Sequence, residues 1–299
     1  MRLDGIHHIT AVSADAQRNV DFYCGVLGLR LVKKTVNFDA PHAYHLYYGD
    51  DLGDPGTILT FFEFKGIERG RAGAGMIDEL AWKIPPGSGQ YWVERLERAG
   101  LVISHEVGSI EFYDPEGLRL RIVETVTAHE GRASSHGDVP HEHALRGFDG
   151  VRALVSDPRR TGELLEALGF RRPGDPYAYA VDGQTLYAMR ASAQDGLQGA
   201  GTVHHIAWVC EPEDQERWRE ELIHEGIEVT PIIDRTYFRS IYFREPGGVL
   251  FEIATKGPGF TVDEESEELG SSLKLPPQHE PLRPALEREL TPIAVPRPT

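Results

Sequence analysis

Two histidine pairs and one glutamate are the residues of this chain whose types and surroundings could bind a metal. His7-His8 lies near the start of the chain and His204-His205 near its end, each pair inside an apolar stretch. Glu252 lies among Val, Leu, Phe and Ile, where an ionised carboxylate is costly unless a cation or a donor compensates it. For Glu252 taken alone, a position at a solvated sheet edge stays an open alternative.

Both histidine pairs lie in stretches that have the pattern of β-strands. Because side chains alternate along a strand, His8 and Thr10 share one face and His205 shares a face with Ala207. Strict alternation places His7 and His204 on the opposite, helix-packed face. There, a hydrogen-bonded structural histidine competes with a catalytic one.

The strands that carry these histidines belong to a repeat of 50 to 70 residues, found four times. Each unit has a short strand, an amphipathic helix that ends at glycine, and two or three further strands. The distance from the first strand to the glycine is 20, 21, 19 and 21 residues, in the pairs His8–Gly28, Glu79–Gly100, Gly150–Gly169 and His205–Gly226.

The four units predict a two-part chain with a tail. Residues 1–126 hold the first and second units, 127–143 form a polar linker, and 144–255 hold the third and fourth units. Residues 256–299 are acidic and then proline-rich. The tail is either disordered or wraps around the domain with a short helix near Leu282–Leu290.

Composition and charge exclude several classes of partner. The 299 residues are 40% apolar and carry a formal net charge of −16, which argues against nucleic acid and anionic membranes. No run of 18 apolar residues occurs, and Met1 leads into a strand without the features of a signal peptide. We therefore expect a cytoplasmic protein. A homo-oligomer is expected as well.

The repeat pattern, with Pro-Gly-Gly or Pro-Glu-Gly before the last strand of a unit, resembles the vicinal oxygen chelate superfamily over residues 5–255. That resemblance implies an α+β fold of four tandem βαβββ modules in two curved mixed sheets, with the first module paired with the fourth. It also implies a metal held by residues of the first and last strands of the modules.

Within that resemblance the repeat serves as its own control. The first-strand ligand position falls at His8, Glu79, Gly150 and His205, and the last-strand position falls at Phe61, Arg121, no carboxylate near Leu186–Ala188, and Glu252. Only the first and fourth modules are equipped with metal ligands, which predicts a metal set of His8, His205 and Glu252. Two imidazoles and one carboxylate form the facial triad of non-heme Fe(II) oxygenases, and Mn(II) accepts the same ligands. Phe61 cannot bind a hard cation, so a fourth protein ligand is not expected.

One branch of the superfamily is especially similar, the ring-cleaving dioxygenases that open para-hydroquinones, with their catechol-cleaving or quinone-detoxifying relatives. The motifs that carry this similarity are Leu3–Thr10, Tyr44–Tyr48, Pro55–Thr57, His143–Phe148, Asp234-Arg235, Pro246–Glu252 and Gly259–Thr261.

By this resemblance, residues around the metal set assist the chemistry: Thr10, His7, His204, Arg235 and Tyr242. Arg235 could stabilise negative charge on the substrate or oxygen, or lie at the surface after Asp234. Tyr242 lies opposite Glu252 only if the connecting turn has an odd number of residues, such as Pro246-Gly247-Gly248.

The resemblance implies a metal-dependent dioxygenase that inserts both atoms of O₂ into a hydroquinone or catechol. The partners expected are thus a small aromatic diol and O₂. Two alternatives stay open: a glyoxalase-like isomerase or thiol transferase of the same superfamily, and a non-catalytic small-molecule binding protein.

Overall fold

The computed structural model describes residues 1–126, 133–181 and 186–296, which contain fifteen β-strands and five α-helices. The strands are β1 (Ile6–Ser13), β2 (Arg30–Val36), β3 (Tyr44–Gly49), β4 (Ile58–Glu63), β5 (Met76–Ile84), β6 (Ser104–Glu106), β7 (Ser109–Tyr113), β8 (Arg119–Glu124), β9 (Phe148–Val155), β10 (Ala178–Ala180), β11 (Leu186–Ala191), β12 (Val203–Cys210), β13 (Ile233–Asp234), β14 (Arg239–Arg244) and β15 (Leu250–Thr255). The helices are α1 (Ala16–Val20), α2 (Gly89–Arg98), α3 (Pro158–Ala167), α4 (Gln215–His224) and α5 (Arg283–Glu289), and a π-helical turn at Asp21–Val26 continues α1.

The ends of the repeated helices carry capping residues. The Asp15 and Asp157 side chains accept hydrogen bonds from the backbone N–H groups of Arg18 and Arg160, which caps α1 and α3. The glycines at the ends of the four repeated helical segments all have positive φ, between 72° and 93°: Gly28, Gly100, Gly169 and Gly226. The prediction that each of these helical segments ends at a glycine is confirmed, and their positive φ is the left-handed conformation that glycine favours at this position.

The strands form two mixed sheets, and the first and fourth modules share one of them. The eight-stranded sheet has the order β13-β14-β15-β12-β1-β4-β3-β2, and the seven-stranded sheet has the order β10-β11-β9-β5-β8-β7-β6. The predicted α+β fold, with the first module paired with the fourth, is confirmed. The third module is shorter than the others, because in the described residues one of its strands is reduced to a bridge between Arg171 and Ala180.

Strands β1 and β12 pair around a local two-fold relation. His8 pairs with Ala207 and Thr10 pairs with His205, so each histidine lies opposite the residue two positions beyond the other. The register shifts between Ile6 and His8, and again between Thr10 and Ala11. These two shifts are β-bulges, in which one extra residue interrupts the alternation of the strand: His7 in β1 and His204 in β12.

The tail covers one edge of the eight-stranded sheet. Leu273 forms a bridge to Lys34 of β2, and Phe260 packs into an apolar cluster with Tyr47, Ile58 and Phe238. Helix α5 lies close to the helix that the sequence suggests for this segment, so up to residue 296 the tail is part of the fold. Residues 127–132 of the predicted linker, and residues 297–299, lie outside the described residues.

A buried lysine fixes the tail against β2 through two ion pairs. The Lys33 ammonium group is fully buried, and it donates hydrogen bonds to the Phe260 carbonyl oxygen at 3.1 Å, to Asp263 Oδ1 at 2.6 Å and to Glu264 Oε2.

None of the helices in the described ranges has the length and hydrophobicity that a membrane span requires.

Candidate metal centre

His8, His205 and Glu252 come together where β1, β12 and β15 lie side by side. The Nε2 atoms of His8 and His205 are 3.3 Å apart, and Glu252 Oε2 lies 3.3 Å from the first and 3.0 Å from the second. All three side chains are buried. The register explains the convergence. Ala207, which is two residues beyond His205, pairs with His8 on one side and with Glu252 on the other.

The spacing of these atoms fits a divalent cation. Ligand atoms about 2.1 Å from a cation lie about 3.0 Å apart on adjacent corners of an octahedron, and about 3.4 Å apart in a tetrahedron. Glu252 Oε1 accepts a hydrogen bond from Ser240 Oγ, whereas Oε2 is buried without a hydrogen-bond partner in the described residues. A buried carboxylate oxygen without a donor is what a bound cation would satisfy.

The neighbouring histidine fixes the tautomer of His8. His7 Nε2 lies 3.1 Å from the Thr255 carbonyl oxygen, which can only accept, so this nitrogen must carry the hydrogen of a neutral ring. His7 Nδ1 then accepts from His8 Nδ1, 2.9 Å away, and His8 Nε2 keeps its lone pair. The lone pair that a metal needs therefore faces Glu252.

The pair in β12 repeats this arrangement. His204 Nδ1 lies 2.8 Å from His205 Nδ1, so the Nδ1–H of one ring serves the lone pair of the other. The prediction that alternation turns His7 and His204 away from their neighbours is wrong. The bulges bring each ring against the ring of the histidine that follows it.

The pKa shifts of Glu252 and His205 suit a bound cation. Burial alone would raise the pKa of Glu252, but His8 and His205 outweigh it and hold this pKa well below its usual range. Burial lowers the pKa of His205, although Glu252 opposes this effect. An ionised carboxylate and neutral imidazoles are the protonation states in which these groups ligate metals.

A cavity of about 410 Å³ opens next to the two histidines. Its polar lining near them consists of His204, Arg235 and Tyr242, and its apolar lining includes Phe38, Phe62, Phe64, Phe238 and Leu250.

Tyr242 and Arg235 lie at the cavity wall as a hydrogen-bonded pair. Tyr242 pairs directly with Glu252 across β14 and β15, because the turn between these strands has the three residues Pro246-Gly247-Gly248. Arg235 Nε donates to Tyr242 Oη at 3.2 Å, and the guanidinium group also lies over the Phe38 ring. Arg235 is therefore half-buried in the cavity wall, and the surface alternative for it is wrong.

Thr10 lies beneath the cavity, in a chain of hydrogen bonds. Its hydroxyl is 2.9 Å from Thr60 Oγ1, which lies 2.8 Å from His45 Nε2, and His45 Nδ1 lies 3.0 Å from Tyr47 Oη. Thr60, His45 and Tyr47 were not among the predicted site residues. The alternation of β3 and the position of Thr60 opposite Thr10 are the signals that could have found them.

The position equivalent to Glu252 in the first module is Thr60, so the assignment of Phe61 to it is wrong. Glu252 pairs with the residue two beyond His205, and Thr60 pairs with Thr10, two beyond His8. Phe61 points to the other face, where its ring packs 4.7 Å from the ring of Tyr23. A slip of one residue along a strand moves a side chain to the opposite face of the sheet.

The second sheet has an ion-pair cluster at the equivalent place. Glu79 is buried, and its carboxylate contacts Arg119 Nε at 3.1 Å, Arg121 Nε at 3.1 Å and Arg152 Nη1 at 3.0 Å. Arg121 occupies the position that Glu252 has in the fourth module, since it pairs with Ala81, two residues beyond Glu79. Fixed positive charges thus take the space that a cation would need.

Comparisons with known proteins show what this chain is similar to. The family model described as "Glyoxalase/Bleomycin resistance protein/Dioxygenase superfamily" matches residues 5–122 and 132–253. The chain is 45% identical, over 97% of each chain, to a protein of Bacillus subtilis (strain 168) named as ring-cleaving dioxygenase MhqO. It is 34% identical to a chlorohydroquinone/hydroquinone 1,2-dioxygenase of Sphingobium indicum, over 97% of this chain and 96% of that one. A crystal structure of a Bacillus subtilis protein described as a dioxygenase matches with a TM-score of 0.93 and 43% identity, over 99% of each chain.

Proposed function

Because this chain belongs to the glyoxalase/bleomycin resistance protein/dioxygenase superfamily, we propose that it is a metal-dependent ring-cleaving dioxygenase. Its substrate would be a hydroquinone or catechol-type diol, into which both atoms of O₂ are inserted. The observation that carries this proposal is the three-residue set of His8, His205 and Glu252 beside a largely apolar cavity. The names of relatives that are 34% to 45% identical over nearly the whole chain support it.

The proposed ligands of the metal are His8, His205 and Glu252, and the proposed metal is Fe(II), with Mn(II) as the alternative. When bound, such a cation lowers the pKa of a diol hydroxyl and brings the diol and O₂ together. Three protein ligands leave other sides of the cation open to both reactants. Thr60, in place of a fourth acidic ligand, is consistent with this open arrangement.

The histidines beside the ligands would hold them in the correct orientation. His7 passes the hydrogen bond of His8 on to the Thr255 carbonyl oxygen, which locks both rings. His204 lines the cavity and accepts from His205 through Nδ1, so its Nε2–H is free to donate to a bound diol. In this role His204 binds the substrate, whereas His7 only positions a ligand.

Arg235 and Tyr242 would bind the oxygen atoms of the substrate. Burial raises the pKa of Tyr242, and the Glu252 charge adds to this effect, so its hydroxyl stays protonated and able to donate. The Arg235 guanidinium group orients that hydroxyl and places a positive charge beside the cavity. The pair is suited to stabilise negative charge that develops on the substrate as its hydroxyl loses a proton.

The aromatic wall would hold the ring of the diol and keep water away. Phe38, Phe62, Phe64 and Phe238 surround the cavity, and their faces and edges can pack on a flat aromatic molecule. Beneath this wall, Thr10 accepts a hydrogen bond from the Thr60 hydroxyl, which holds both side chains in place.

The test is oxygen uptake by metal-free protein that has been reloaded anaerobically with Fe(II) or Mn(II). Hydroquinone, methylhydroquinone and catechol are supplied in turn, and ring-opened products are followed by mass spectrometry. We expect uptake of one O₂ per diol, lost in His205→Ala and Glu252→Gln. The control is His224→Ala, because this histidine of α4 is 85% exposed.

Two results would contradict the proposal. No uptake with any diol by metal-loaded protein would exclude ring cleavage of these substrates. Turnover of a glutathione hemithioacetal without O₂ uptake would instead favour an isomerase.

A further inference from the structure

The cavity has a second polar site, formed by His45 and Tyr47 of β3. Both residues line the cavity, and neither makes a hydrogen bond to the three proposed ligands in the described part of the chain. Strand β3 is two strands away from β1, which is roughly 10 Å at about 4.8 Å per strand.

One aromatic ring separates this second site from the proposed metal centre. Phe62 lies on β4, between β3 and β1, with its ring centre 4.4 Å from that of His45 and 6.4 Å from that of His205. A flat ligand that lies beside the Phe62 ring can therefore approach both polar sites at once.

Tyr47 has hydrogen-bonding capacity to spare. A phenol can donate one hydrogen bond and accept others, but in the described residues the only partner of Tyr47 Oη is His45 Nδ1, at 3.0 Å. The rings of Tyr237 and Phe260 pack against the Tyr47 ring and offer no strong acceptor. The remaining hydrogen-bonding position is thus left for a molecule in the cavity.

His45 allows Tyr47 to act in either direction. Burial lowers the pKa of His45 well below its ordinary value and raises the pKa of Tyr47, so the imidazole is neutral and the phenol is protonated. Both ring nitrogens of His45 face hydroxyl groups, those of Tyr47 and Thr60, so either tautomer can be satisfied. With one tautomer Tyr47 donates to His45 and offers a lone pair, and with the other it offers its hydrogen.

We propose that Tyr47 binds the substrate hydroxyl that is remote from the metal centre, and that His45 positions Tyr47 for this contact. A para-diol has its hydroxyls at opposite ends of one ring, so it reaches both polar sites, whereas catechol has both at one edge. The pair therefore selects hydroquinones over catechols. This inference rests on the proposed function, because it places the other hydroxyl at the triad.

The test compares ligands that differ only in the remote group. Binding of hydroquinone, 4-methylphenol and catechol to Mn(II)-loaded protein is measured by calorimetry without oxygen. In 4-methylphenol a methyl group of similar size replaces the remote hydroxyl. We expect Tyr47→Phe to weaken hydroquinone binding about threefold to tenfold, the range of one net hydrogen bond, and to leave 4-methylphenol and catechol within about twofold.

Two further variants separate this role from general damage to the fold. Tyr48→Phe removes the same atom from the next residue, whose hydroxyl donates to Asn19 Oδ1 at 2.8 Å on the other face of β3. This variant should leave the affinity for all three ligands unchanged. His45→Phe removes the partner of Tyr47 and should reproduce the selective loss for hydroquinone. Since a structural defect would weaken all three ligands, the ratio of hydroquinone to 4-methylphenol affinity is the decisive readout.

The inference fails if Tyr47→Phe leaves hydroquinone binding unchanged, or if it weakens hydroquinone and 4-methylphenol equally. It also fails if the wild-type protein binds hydroquinone no more tightly than 4-methylphenol. Oxygen uptake by the Fe(II) protein is measured separately. Selective binding without uptake would contradict the dioxygenase and keep the subsite, whereas uptake from hydroquinone with a KM that Tyr47→Phe does not raise would contradict the subsite alone.

Discussion

The Nδ1 atom of His7 lies 2.9 Å from the Nδ1 atom of His8, although the two residues are neighbours in one strand. A β-bulge makes this contact possible, and the same contact, at 2.8 Å, joins His204 to His205 in the strand related by the local two-fold relation. In each of the two modules, the histidine whose ring faces Glu252 is thus hydrogen-bonded to the histidine before it. This repetition is expected if the contact serves the ligand rather than the strand.

Replacing His7 or His204 should weaken metal binding without removing a ligand. We expect His7→Ala and His204→Ala each to lower the affinity for Fe(II) or Mn(II) by about tenfold to a hundredfold, the usual effect of losing a partner behind a ligand. Calorimetric metal titration of the metal-free variants gives the affinity directly. His224→Ala is the matched control, and metal affinities that match the wild-type value would contradict the role assigned to both histidines.

Acid should destabilise the metal-free protein partly through His7. Burial first, and then the electrostatic effect of the neighbouring His8 ring, lower the pKa of His7 to about 3, while the unfolded chain keeps an ordinary value of about 6.5. Between these values the unfolded state binds more protons. The stability that neutral His7 provides is therefore complete above about pH 6.5, and is lost as the pH falls toward 3.

The experiment is urea denaturation of metal-free protein at several pH values from 7.5 down to 5. For a single fully shifted histidine, the free energy of unfolding falls by up to about 1.4 kcal/mol per pH unit below pH 6.5. In His7→Gln this part of the slope should disappear, whereas His224→Gln should keep the wild-type slope, since that side chain is 85% exposed. Equal slopes in all three proteins would show that His7 does not titrate as argued.

Much of this architecture could be predicted from the sequence, because it depends on local signals. The glycines that end the four repeated helical segments, such as Gly28 and Gly226, mark the repeat, and the repeat indicates which strands are equivalent. The three-residue turn Pro246-Gly247-Gly248 sets the register of its hairpin, which correctly allowed Tyr242 to lie opposite Glu252.

The parts that could not be predicted depend on register between distant strands. A bulge adds one residue to a strand, and nothing in the letters His-His distinguishes a bulged pair from a regular one. No turn fixes the register of the parallel strands β1 and β4, and Thr60 and Phe61 are both fully buried, so burial could not decide between them. Alternation places His45 and Tyr47 on one face of β3, but whether that face lines the cavity depends on the same register.

The Glu79 cluster should stabilise the fold without binding a metal. Glu79→Gln keeps the pairs Arg119–Glu111 and Arg152–Asp78 but removes the carboxylate that all three arginines share, Arg121 included. We expect the free energy of unfolding to fall by about 2 to 4 kcal/mol. The metal content should stay at one ion per chain by elemental analysis. Glu163→Gln, which breaks an exposed pair with Arg159, should cost less than about 1 kcal/mol. Loss of metal from Glu79→Gln that is still folded would contradict the separation of the two sites.

The equivalence of Thr60 and Glu252 can be tested by supplying the missing ligand. Thr60 pairs with Thr10 as Glu252 pairs with Ala207, and β1 and β12 are related by the local two-fold relation. A carboxylate at position 60 should therefore approach the same cation from the fourth side. We expect Thr60→Glu to bind Mn(II) at least about tenfold more tightly than the wild type, and to lose O₂ uptake because an open side is closed.

Phe61→Glu is the control that separates the two registers. Its carboxylate would enter the layer next to Tyr23 and Tyr48, whose hydroxyls already donate to Asp114 and Asn19. The free energy of unfolding should therefore fall by several kcal/mol. Its metal affinity should not rise. If Phe61→Glu rather than Thr60→Glu gained metal affinity, β4 would have to be shifted by one residue. Because such a shift turns every side chain of the strand to the other face, it would also separate Thr60 from His45 and remove the support for Tyr47 as a substrate-binding residue.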